Sequence, residues 1–323
     1  MTILVTGATG LLGNNVVRLL GQRGLAVRAL VRKSADPRPL EGLDVDVVPG
    51  DLRDHASLER SCQGVSAVVH AAAFVAIGRT QRDLAESINV EGTRALADAA
   101  RDVGAKMVHV SSVDALAPAT PQRPADETTA GSKPACPYVV TKRSAEAVIR
   151  KAVESGLEGT IVNPAFMLGP WDWKPSSGRM LLEVARRFSP AAPRGGVSLC
   201  DVRDVAAGCL AALERGQPGR QYILAGHNMS YFSAWRLFAE VSSGRPPWMQ
   251  ARPPLTTLAG WCGDWVARFT GKEPDVNSAS VRMAHLWHHY SSRRAADELG
   301  YHCRAARETV ADAWQWFTEQ GYV

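Results

Sequence analysis

Three evenly spaced glycines near the start of the chain constrain its fold more than any other feature. They stand at positions 7, 10 and 13, between a short apolar run (residues 3–6) and a segment with helical spacing (residues 11–21). Gly7 permits a sharp turn, Gly10 lets a backbone approach a pyrophosphate, and Gly13 lets helix and strand pack closely. The N-terminus of the following helix offers free N–H groups and a partial positive charge to an anion. The pattern predicts a dinucleotide phosphate site at Gly7, Thr9, Gly10, Leu11, Leu12 and Gly13; a glycine turn without a ligand is the less favoured alternative.

Apolar segments and helical segments alternate through the first half of the chain. Strand-like runs lie at 26–31, 45–48, 65–70 and 106–110, and helix-like segments separate them. This alternation predicts an α/β fold of the Rossmann type, a doubly wound parallel sheet covered on both faces. After residue 165 the chain becomes rich in tryptophan, proline and glycine. We therefore expect a dinucleotide-binding domain at 1–165, with 196–225 returning to it, and a smaller, discontinuous substrate lobe at 166–195 and 226–323.

The residues after the second predicted strand bear on the choice of dinucleotide. An acidic residue there would bind the ribose 2′-hydroxyl of NAD, but this chain has Arg32 and Lys33. A guanidinium and an ammonium suit a 2′-phosphate, so the sequence favours NADP(H) over NAD(H). An ordinary solvated basic loop is the alternative. Asp51, after the third strand, is a candidate for the adenine edge or for a turn.

A tyrosine and a lysine four residues apart carry the most specific chemistry. Pro137 can open a helix, which places Tyr138 and Lys142 on one face of it. We expect the ammonium and the positive helix end to lower the pKa of the phenol, making it an acid–base catalyst. Ser112 follows the predicted fifth strand, where its hydroxyl would lie beside a reacting carbonyl oxygen. A Tyr-x-x-x-Lys pair arises often by chance, but the preceding Ser112 and glycine turn favour a catalytic centre.

The chain resembles the extended short-chain dehydrogenases/reductases along its whole length. The resemblance rests on ordered motifs: residues 6–13, Gly50-Asp51-Leu52, His70-Ala71-Ala72-Ala73, Asn89-Val90-Glu91-Gly92-Thr93, Ser111-Ser112, residues 138–142 and Asn163-Pro164. Residues 27–32 and 163–172, with Pro175-Ser176, are most similar to the branch of dihydroflavonol reductase-like, 3β-hydroxysteroid dehydrogenase-like and hopanoid-associated sugar epimerase-like proteins. The resemblance implies that Leu52, Ala71, Ala72 and Ala73 line the cofactor, that Asn89 supports the active site, and that Pro164 and Phe166 lie near the nicotinamide.

These residues together predict an NADPH-dependent carbonyl reductase or alcohol dehydrogenase. Hydride would pass between the nicotinamide and a carbonyl carbon of a ketone or aldehyde, with Tyr138 exchanging the proton, Ser112 orienting the oxygen and Lys142 tuning Tyr138. Two alternatives stay open. One is a sugar-nucleotide epimerase or dehydratase that retains NAD, which Arg32 and Lys33 oppose. The other is a non-catalytic NADP-binding sensor, which typically lacks the tyrosine–lysine pair.

Composition excludes several classes of protein and partner. The 323 residues are 46% hydrophobic and carry a net charge of +5. The sequence lacks the arginine-rich arm that is typical of nucleic-acid-binding proteins, so we predict no nucleic-acid partner. The first residues do not resemble a signal peptide, and no apolar run is long enough to span a bilayer. With six scattered cysteines, these features predict a cytoplasmic protein with free thiols. The resemblance implies a homodimer formed through paired helices, one of which carries Tyr138.

Several weaker signals have two interpretations each. His285, His288 and His289 have metal-compatible spacing, but their aromatic and apolar neighbours favour packing, so we predict no metal site. Asp201 and Asp204 are better helix caps than catalysts. The apolar segment 255–269 suits a buried helix or a dimer surface better than a membrane surface. Four bulky residues line a substrate pocket or pack the second lobe, with the pocket slightly favoured: Phe166, Met167, Trp171 and Trp173.

Overall fold

A computed structural model of the chain shows how these segments fold. It describes residues 1–75, 81–129, 136–251 and 277–323, together with 257, 260, 261, 263–265 and 268. The predicted apolar segment 255–269 lies mostly outside the described residues. Among the helices that the structure describes, none combines the length and apolar character needed to cross a membrane.

A seven-stranded parallel sheet forms the centre of the molecule. Its strands are β1 (Thr2–Thr6), β2 (Ala26–Val31), β3 (Asp46–Pro49), β4 (Ala67–His70), β5 (Lys106–Val110), β6 (Gly159–Pro164) and β10 (Gln221–Leu224), in the order β10-β6-β5-β4-β1-β2-β3. The strand order reverses between β1 and β4. Ligands of such sheets bind at the carboxyl ends of the strands beside this reversal, so the topology points to the loop after β1. The predicted doubly wound parallel fold is confirmed.

The sheet is buried because helices cover both of its faces. They are α1 (Leu11–Gln22), α2 (His55–Cys62), α3 (Arg82–Glu86), α4 (Gly92–Asp102), α5 (Pro137–Glu154) and α7 (Val202–Arg215), with a π-helical turn at Ser87–Glu91 joining α3 to α4. One apolar face of α1, formed by Leu12, Val16 and Leu20, packs in the same core as Val5 and Val69 of the sheet. Asp54 caps α2 by accepting a hydrogen bond from the Ser57 amide.

A second lobe is built around a small mixed sheet. β9 (Gly196–Asp201) pairs with β7 (Phe166–Leu168) and antiparallel β11 (His227–Ser230), and short β8 (Ala191–Ala192) pairs with β12 (Met249–Gln250). The helices are α6 (Gly178–Arg186), α8 (Tyr231–Ser242), Ser278–His285, Arg293–Leu299 and the C-terminal helix Ala306–Glu319. Of the segment 196–225 that we expect in the dinucleotide-binding domain, β10 joins the main sheet and α7 packs on α1, whereas β9 belongs to the second sheet.

Candidate functional site

The glycine turn is shaped as the sequence predicts. Gly7 has φ of +71°, and a Cβ there would lie 2.7 Å from the Ala72 nitrogen; a Cβ on Gly13 would lie 2.1 Å from the Gly7 carbonyl oxygen. Without side chains at these two positions, the backbone can approach closely. The carboxyl end of β1 therefore contacts both the loop after β4 and α1. Gly10 is the N-cap residue of α1. No side chain caps this end of the helix, and its first turn has no acidic residue. The first amide groups of the helix are therefore available to an anion, which fits a dinucleotide phosphate.

A cavity of about 340 Å³ lies over this turn. It is bounded on one side by the glycine turn and on the other by the ends of β2, β3 and β4. The predicted cofactor residues among those lining it are Gly7, Thr9, Gly10, Leu11, Arg32, Asp51, Leu52, Ala71, Ala72 and Ala73. The structure therefore brings most of the predicted dinucleotide residues to one cavity.

The two basic residues after β2 are placed differently. Arg32 lines the cavity, while Lys33 is exposed and is not among the described residues that line it. Asp51 pairs with Arg53 at 3.1 Å, and Arg53, with help from Arg32, lowers the pKa of the Asp51 carboxyl against the effect of burial. Directly after β2, the side chain that lines the cavity is therefore the cationic Arg32, and the acidic Asp51 comes from the end of β3.

The remaining predicted cofactor residues lie outside the described lining of this cavity. Leu12 is buried in the core, and Gly13 holds α1 against the turn. Pro164 ends β6 and Phe166 begins β7, so both lie where the main sheet passes into the second lobe. They are at the carboxyl end of β6, which β5 and β4 separate from β1.

Asn89 is a structural clamp beside the predicted catalytic helix. Its side chain accepts from the Phe74 amide at 2.7 Å and donates to the Phe74 carbonyl at 2.8 Å and to the Thr141 hydroxyl at 3.1 Å. It therefore fixes the loop after β4 against α5, one turn from Tyr138. The predicted supporting role of Asn89 fits these contacts.

Ser112, Tyr138 and Lys142 come together as predicted at the β5 carboxyl end. Pro137 opens α5, so Tyr138 is in its first turn, and the Lys142 ammonium lies 5.9 Å from the Tyr138 ring centre. The Ser112 hydroxyl interacts with the Tyr138 phenol. The buried Lys142 donates to the Val110 carbonyl at 2.9 Å. A phenol, a hydroxyl and an ammonium thus occupy one site, as proton transfer to a carbonyl oxygen would require.

The protonation of this site differs from our expectation. We predicted a lowered pKa for Tyr138, but burial and the Asp114 carboxylate raise it, while Ser112 lowers it only in part. Burial lowers the pKa of Lys142 to about 8, although Glu146 and Asp114 raise it. The prediction failed because it counted the ammonium and the helix end without the low dielectric and the neighbouring anion. In this structure Tyr138 is a neutral phenol, able to donate a proton.

Glu146 holds neighbouring residues of this centre through hydrogen bonds, and none of the sequence motifs includes it. It is buried one turn after Lys142 and accepts hydrogen bonds from Ser111 at 2.6 Å and from Asn163 at 2.8 Å. Asn163 also donates to the Ser112 carbonyl at 2.8 Å. The asparagine of the Asn-Pro motif therefore fixes the backbone of Ser112.

Two further pairs of residues at the site were missed by the sequence analysis. Asp114 contacts both Ser112 and His288, as described below. Lys174 and Ser176 extend from the second lobe and line the dinucleotide cavity. Ser176 could have been found from the Pro175-Ser176 motif, which belongs to the family resemblance. Nothing in the sequence indicated Lys174.

The histidines of the second lobe have polar contacts, and its tryptophans have ring contacts. His288 faces Asp114 and His289 contacts the Met229 carbonyl at 3.2 Å. Within the described parts of the chain, no cluster of three potential metal ligands occurs. Trp171 and Trp173 both pack against Trp316, at 6.2 and 5.2 Å, and Trp171 also lines a cavity beside α1 and α7, so their role in a substrate pocket stays a prediction. Asp201 caps α7, as predicted, whereas Asp204 pairs with Arg304 at 2.7 Å.

Comparison with known proteins agrees with this geometry. Residues 3–225 match the model of the NAD dependent epimerase/dehydratase family. The chain belongs to this family. It is 37% identical to sterol demethylase protein B of Methylococcus capsulatus over all of both chains, and 36% identical to a dihydroflavonol 4-reductase-like protein of Synechocystis, covering 99% of this chain and 95% of the relative.

Solved structures extend the comparison to the fold. The crystal structure of gox2253 is 36% identical, with a TM-score of 0.87 over 99% of this chain and 98% of that one. The UDP-glucose 4-epimerase of Thermotoga maritima has a TM-score of 0.79 at 19% identity over 99% of both chains, and so shows a shared fold. As a member of this family, the chain is an NAD(P)-dependent oxidoreductase acting on a small molecule.

Proposed function

We propose that the protein is an NADPH-dependent carbonyl reductase, with Tyr138 as its proton donor. The observation that carries this proposal is the meeting of Ser112, Tyr138 and Lys142 at the carboxyl edge of the same sheet as the phosphate cavity, with the Lys142 ammonium 5.9 Å from the Tyr138 ring centre. A phenol with a raised pKa keeps its proton until a developing alkoxide takes it. This suits the reducing direction, because carbonyl reduction requires a proton at oxygen.

NADPH is the preferred cofactor in this proposal. Arg32 lines the cavity at the end of β2, where an enzyme selecting NAD would carry an acid. The bound dinucleotide would supply hydride to the carbonyl carbon. Gly7, Gly10 and the first amides of α1 would hold its phosphates, and Arg32 its 2′-phosphate.

The chain's own side chains then have separate roles. Ser112 donates a hydrogen bond to the carbonyl oxygen and holds it near the phenol. Tyr138 donates its proton to that oxygen, and accepts it in the reverse reaction. Lys142 supplies a positive charge that stabilises the tyrosinate left behind. Asn163 and Glu146 keep Ser112 in place through the hydrogen bonds described above.

The proposed substrate is a large apolar ketone or aldehyde. Relatives include a ceramide reductase of Caulobacter vibrioides, 33% identical over 65% of this chain, and a ketoreductase of Stigmatella aurantiaca named for a farnesylated quinoline oxide, 33% identical over 69%. With the sterol-related protein of Methylococcus, these names share a lipid-like reactant. The cytoplasmic location and the homodimer expected from the sequence stay predictions.

Cofactor binding distinguishes this function from its alternatives. Purified protein is denatured and its supernatant analysed for released nucleotide, and NADPH and NADH are then titrated by protein fluorescence. A reductase that exchanges its cofactor is expected to yield little nucleotide and to bind NADPH at least tenfold more tightly. Stoichiometric bound NAD would instead favour a cofactor-retaining epimerase or dehydratase.

Turnover separates an enzyme from a sensor. NADPH consumption is followed with a sterol ketone, an aromatic ketone, a long-chain aldehyde and a nucleotide sugar. Tight NADPH binding without consumption of any carbonyl compound would contradict the proposal and favour a sensor.

A further inference from the structure

Asp114 and His288 form a polar contact between the two lobes, and Asp114 also contacts the predicted catalytic Ser112. The Asp114 Oδ1 atom lies 3.3 Å from the His288 Nδ1 atom. The side chains are only 23% and 12% exposed, so the contact is largely shielded from water. Asp114 is in the short 3-10 turn Val113–Ala115 after β5, and His288 is in the second lobe.

The backbone around His288 is fixed by both parts of the molecule. The Ala119 amide donates to the Trp287 carbonyl at 2.9 Å, and the Ala125 amide donates to the His289 carbonyl at 2.9 Å. On its other side, the His288 amide donates to the Gly196 carbonyl of β9 at 3.0 Å. The ring's Nε2 atom lies 3.2 Å from the Met283 carbonyl oxygen, an acceptor that favours a proton on Nε2. The imidazole is therefore held in place rather than adventitiously near Asp114.

Asp114 connects this imidazole to the reaction centre. Its amide donates to the Ser112 hydroxyl oxygen at 3.2 Å, and that hydroxyl donates to Asp114 Oδ2, also at 3.2 Å. The carboxylate is also close enough to raise the pKa of the Tyr138 phenol and of the Lys142 ammonium. Asp114 thus links His288 to the Ser112 hydroxyl.

The charges of the pair support each other. Burial alone would raise the pKa of Asp114, but His288, Ser112 and Lys142 hold it below its ordinary value. Burial alone would lower the pKa of His288, but Asp114 raises it. Other titratable groups act in the same region: Lys142 and Tyr138 on α5, Tyr231 on α8, Tyr290 after His288, and Cys136 before α5.

We propose that Asp114 and His288 are a positioning pair that holds the Ser112 hydroxyl at the reaction centre and ties its position to the docking of the second lobe. The Asp114 carboxylate disfavours a second negative charge on Tyr138, and His288 limits that repulsion by neutralising Asp114 in part. The carboxylate also holds the Ser112 hydroxyl until a carbonyl oxygen competes for it. The catalytic consequence rests on the proposed reductase function, but the pair itself is testable without turnover.

Opposite changes are expected when either member is replaced. Asp114→Asn removes the anion and should lower the pKa of Tyr138. His288→Gln leaves the anion without its counter-charge and should raise the pKa of Tyr138 further. A purely structural role would not produce shifts of opposite sign. Asp297→Asn changes an exposed aspartate of the second lobe that pairs only with the exposed Arg293 among the described contacts, and it should leave Tyr138 unchanged.

Magnetic resonance of the full chain measures both members. In protein labelled with ¹⁵N-histidine, His288, assigned by its loss in His288→Gln, should titrate above the ordinary value of about 6.5 and fall below it in Asp114→Asn. In protein labelled at the tyrosine Cζ carbon, Tyr138, assigned with Tyr138→Phe, should ionise at lower pH in Asp114→Asn than in His288→Gln. Circular dichroism checks that each variant is folded.

Two results would overturn the inference. One is a His288 titration that Asp114→Asn leaves unchanged in folded protein, since the two groups would then not interact. The other is a Tyr138 signal that shifts in the same direction, or not at all, in both variants. Because neither measurement uses a substrate, a failure here is distinguishable from a failure of the proposed reductase activity.

Discussion

Tyr138 combines features that a proton donor to a carbonyl needs. It stands in the first turn of α5, interacts with Ser112, and is partly buried beside the Asp114 carboxylate, which with burial raises the pKa of its phenol. Lys142 lies 5.9 Å from its ring and keeps a positive charge near the site at neutral pH, since its pKa is about 8. The residue-scale arrangement therefore supplies the proton that carbonyl reduction requires at the oxygen atom.

Arg32 is expected to set the preference for NADPH. Replacing it in Arg32→Asp removes a cation from the cavity and adds an acid that suits a ribose 2′-hydroxyl. Because a hydrogen bond to a charged group contributes about 1.5–3 kcal/mol, NADPH affinity should fall roughly tenfold to a hundredfold while NADH affinity rises. Titration of both nucleotides measures the change.

Lys33→Asp is the matched control for that substitution. Lys33 is adjacent in sequence but lies outside the described cavity lining, so its replacement should change the NADPH affinity less than Arg32→Asp does. If Lys33→Asp has the larger effect, Arg32 is not the residue that selects the cofactor.

Among individual residues, the sequence motifs predicted those site residues that are recognised by their amino-acid type and their separation along the chain. The glycine turn, Ser112, Tyr138 and Lys142 were found in this way: the turn follows β1, Ser112 follows β5, and Tyr138 and Lys142 lie in α5. Asp114, Glu146 and Lys174 were not, because their roles arise from tertiary contacts with residues distant in sequence. The raised pKa of Tyr138 was missed for the same reason: burial and an adjacent carboxylate depend on the complete fold.

At the scale of elements, the loop between β7 and α6 links the cofactor cavity to the second lobe. Its Trp171 stacks on the Arg18 guanidinium of α1 at 3.3 Å, and the Pro170 carbonyl accepts from Asn15 of α1 at 3.0 Å. Further along, Lys174 and Ser176 line the dinucleotide cavity. The loop is thus fixed to α1, and its Lys174 adds a second positive charge to the cavity that Arg32 also lines.

Lys174→Gln should therefore weaken dinucleotide binding without altering the choice of nucleotide. The loss of one exposed charge is worth about 1 kcal/mol, so the affinity for NADPH and NADH should fall by a similar factor of roughly five. Lys151→Gln, at the exposed end of α5, is the control and should have no effect. A change confined to NADPH would instead place Lys174 beside the 2′-phosphate.

Asp172 in the same loop predicts a dependence of stability on pH. Burial raises the pKa of its carboxyl to about 6, against the lowering effect of the Gly178 and Ser176 amides. The folded state therefore binds a proton more tightly than the unfolded state, so stability falls as pH rises from about 4 to above 6. Asp172→Asn should raise the free energy of unfolding at pH 7.5 by up to about 3 kcal/mol, and by much less at pH 4.

Denaturant unfolding of both proteins at the two pH values measures this difference. Asp44→Asn, an exposed position, is the control and should show no such dependence. Destabilisation by Asp172→Asn at pH 7.5 would mean that the ionised carboxylate stabilises the loop at the N-terminus of α6.

At the scale of the whole molecule, charged contacts join the second lobe to the main sheet and its helices. Arg304, just before the C-terminal helix, pairs with Asp204 of α7 at 2.7 Å and with Asp201 at 3.5 Å. Arg203 of α7 also pairs with Asp312 of the C-terminal helix at 2.5 Å. Since α7 packs on α1, these contacts connect the C-terminal helix to the element that forms the phosphate site.

Breaking the first of these contacts should destabilise the folded protein. Arg304→Ala leaves the largely buried Asp204 without its partner and is expected to lower the free energy of unfolding by roughly 2 kcal/mol. Arg23→Ala removes an exposed pair with Glu214 at 3.0 Å and should cost well under 1 kcal/mol. Equal losses in urea unfolding would argue that burial of the Arg304 pair is unimportant.

The overall architecture was largely predictable, since alternating apolar and helical periodicity dictates a parallel sheet covered by helices. The composition of the second lobe was harder to predict. β9 looked like a returning strand of the main sheet, and only its pairing with β7 and β11 places it elsewhere. For Trp171 and Trp173 the sequence slightly favoured a pocket over packing; both rings contact Trp316, and Trp171 also lines a cavity, so both roles are compatible with the structure.

Transfer of deuterium from the cofactor tests the central claim most directly. The protein is incubated with NADPH deuterated at C4 of the nicotinamide and a carbonyl compound from the turnover screen, and the alcohol is analysed by mass spectrometry. We predict one deuterium on the carbinol carbon, and a rate that falls by about two to four powers of ten in folded Tyr138→Phe with NADPH binding unchanged. An alcohol without deuterium, or a Tyr138→Phe variant with nearly full activity, would contradict the account.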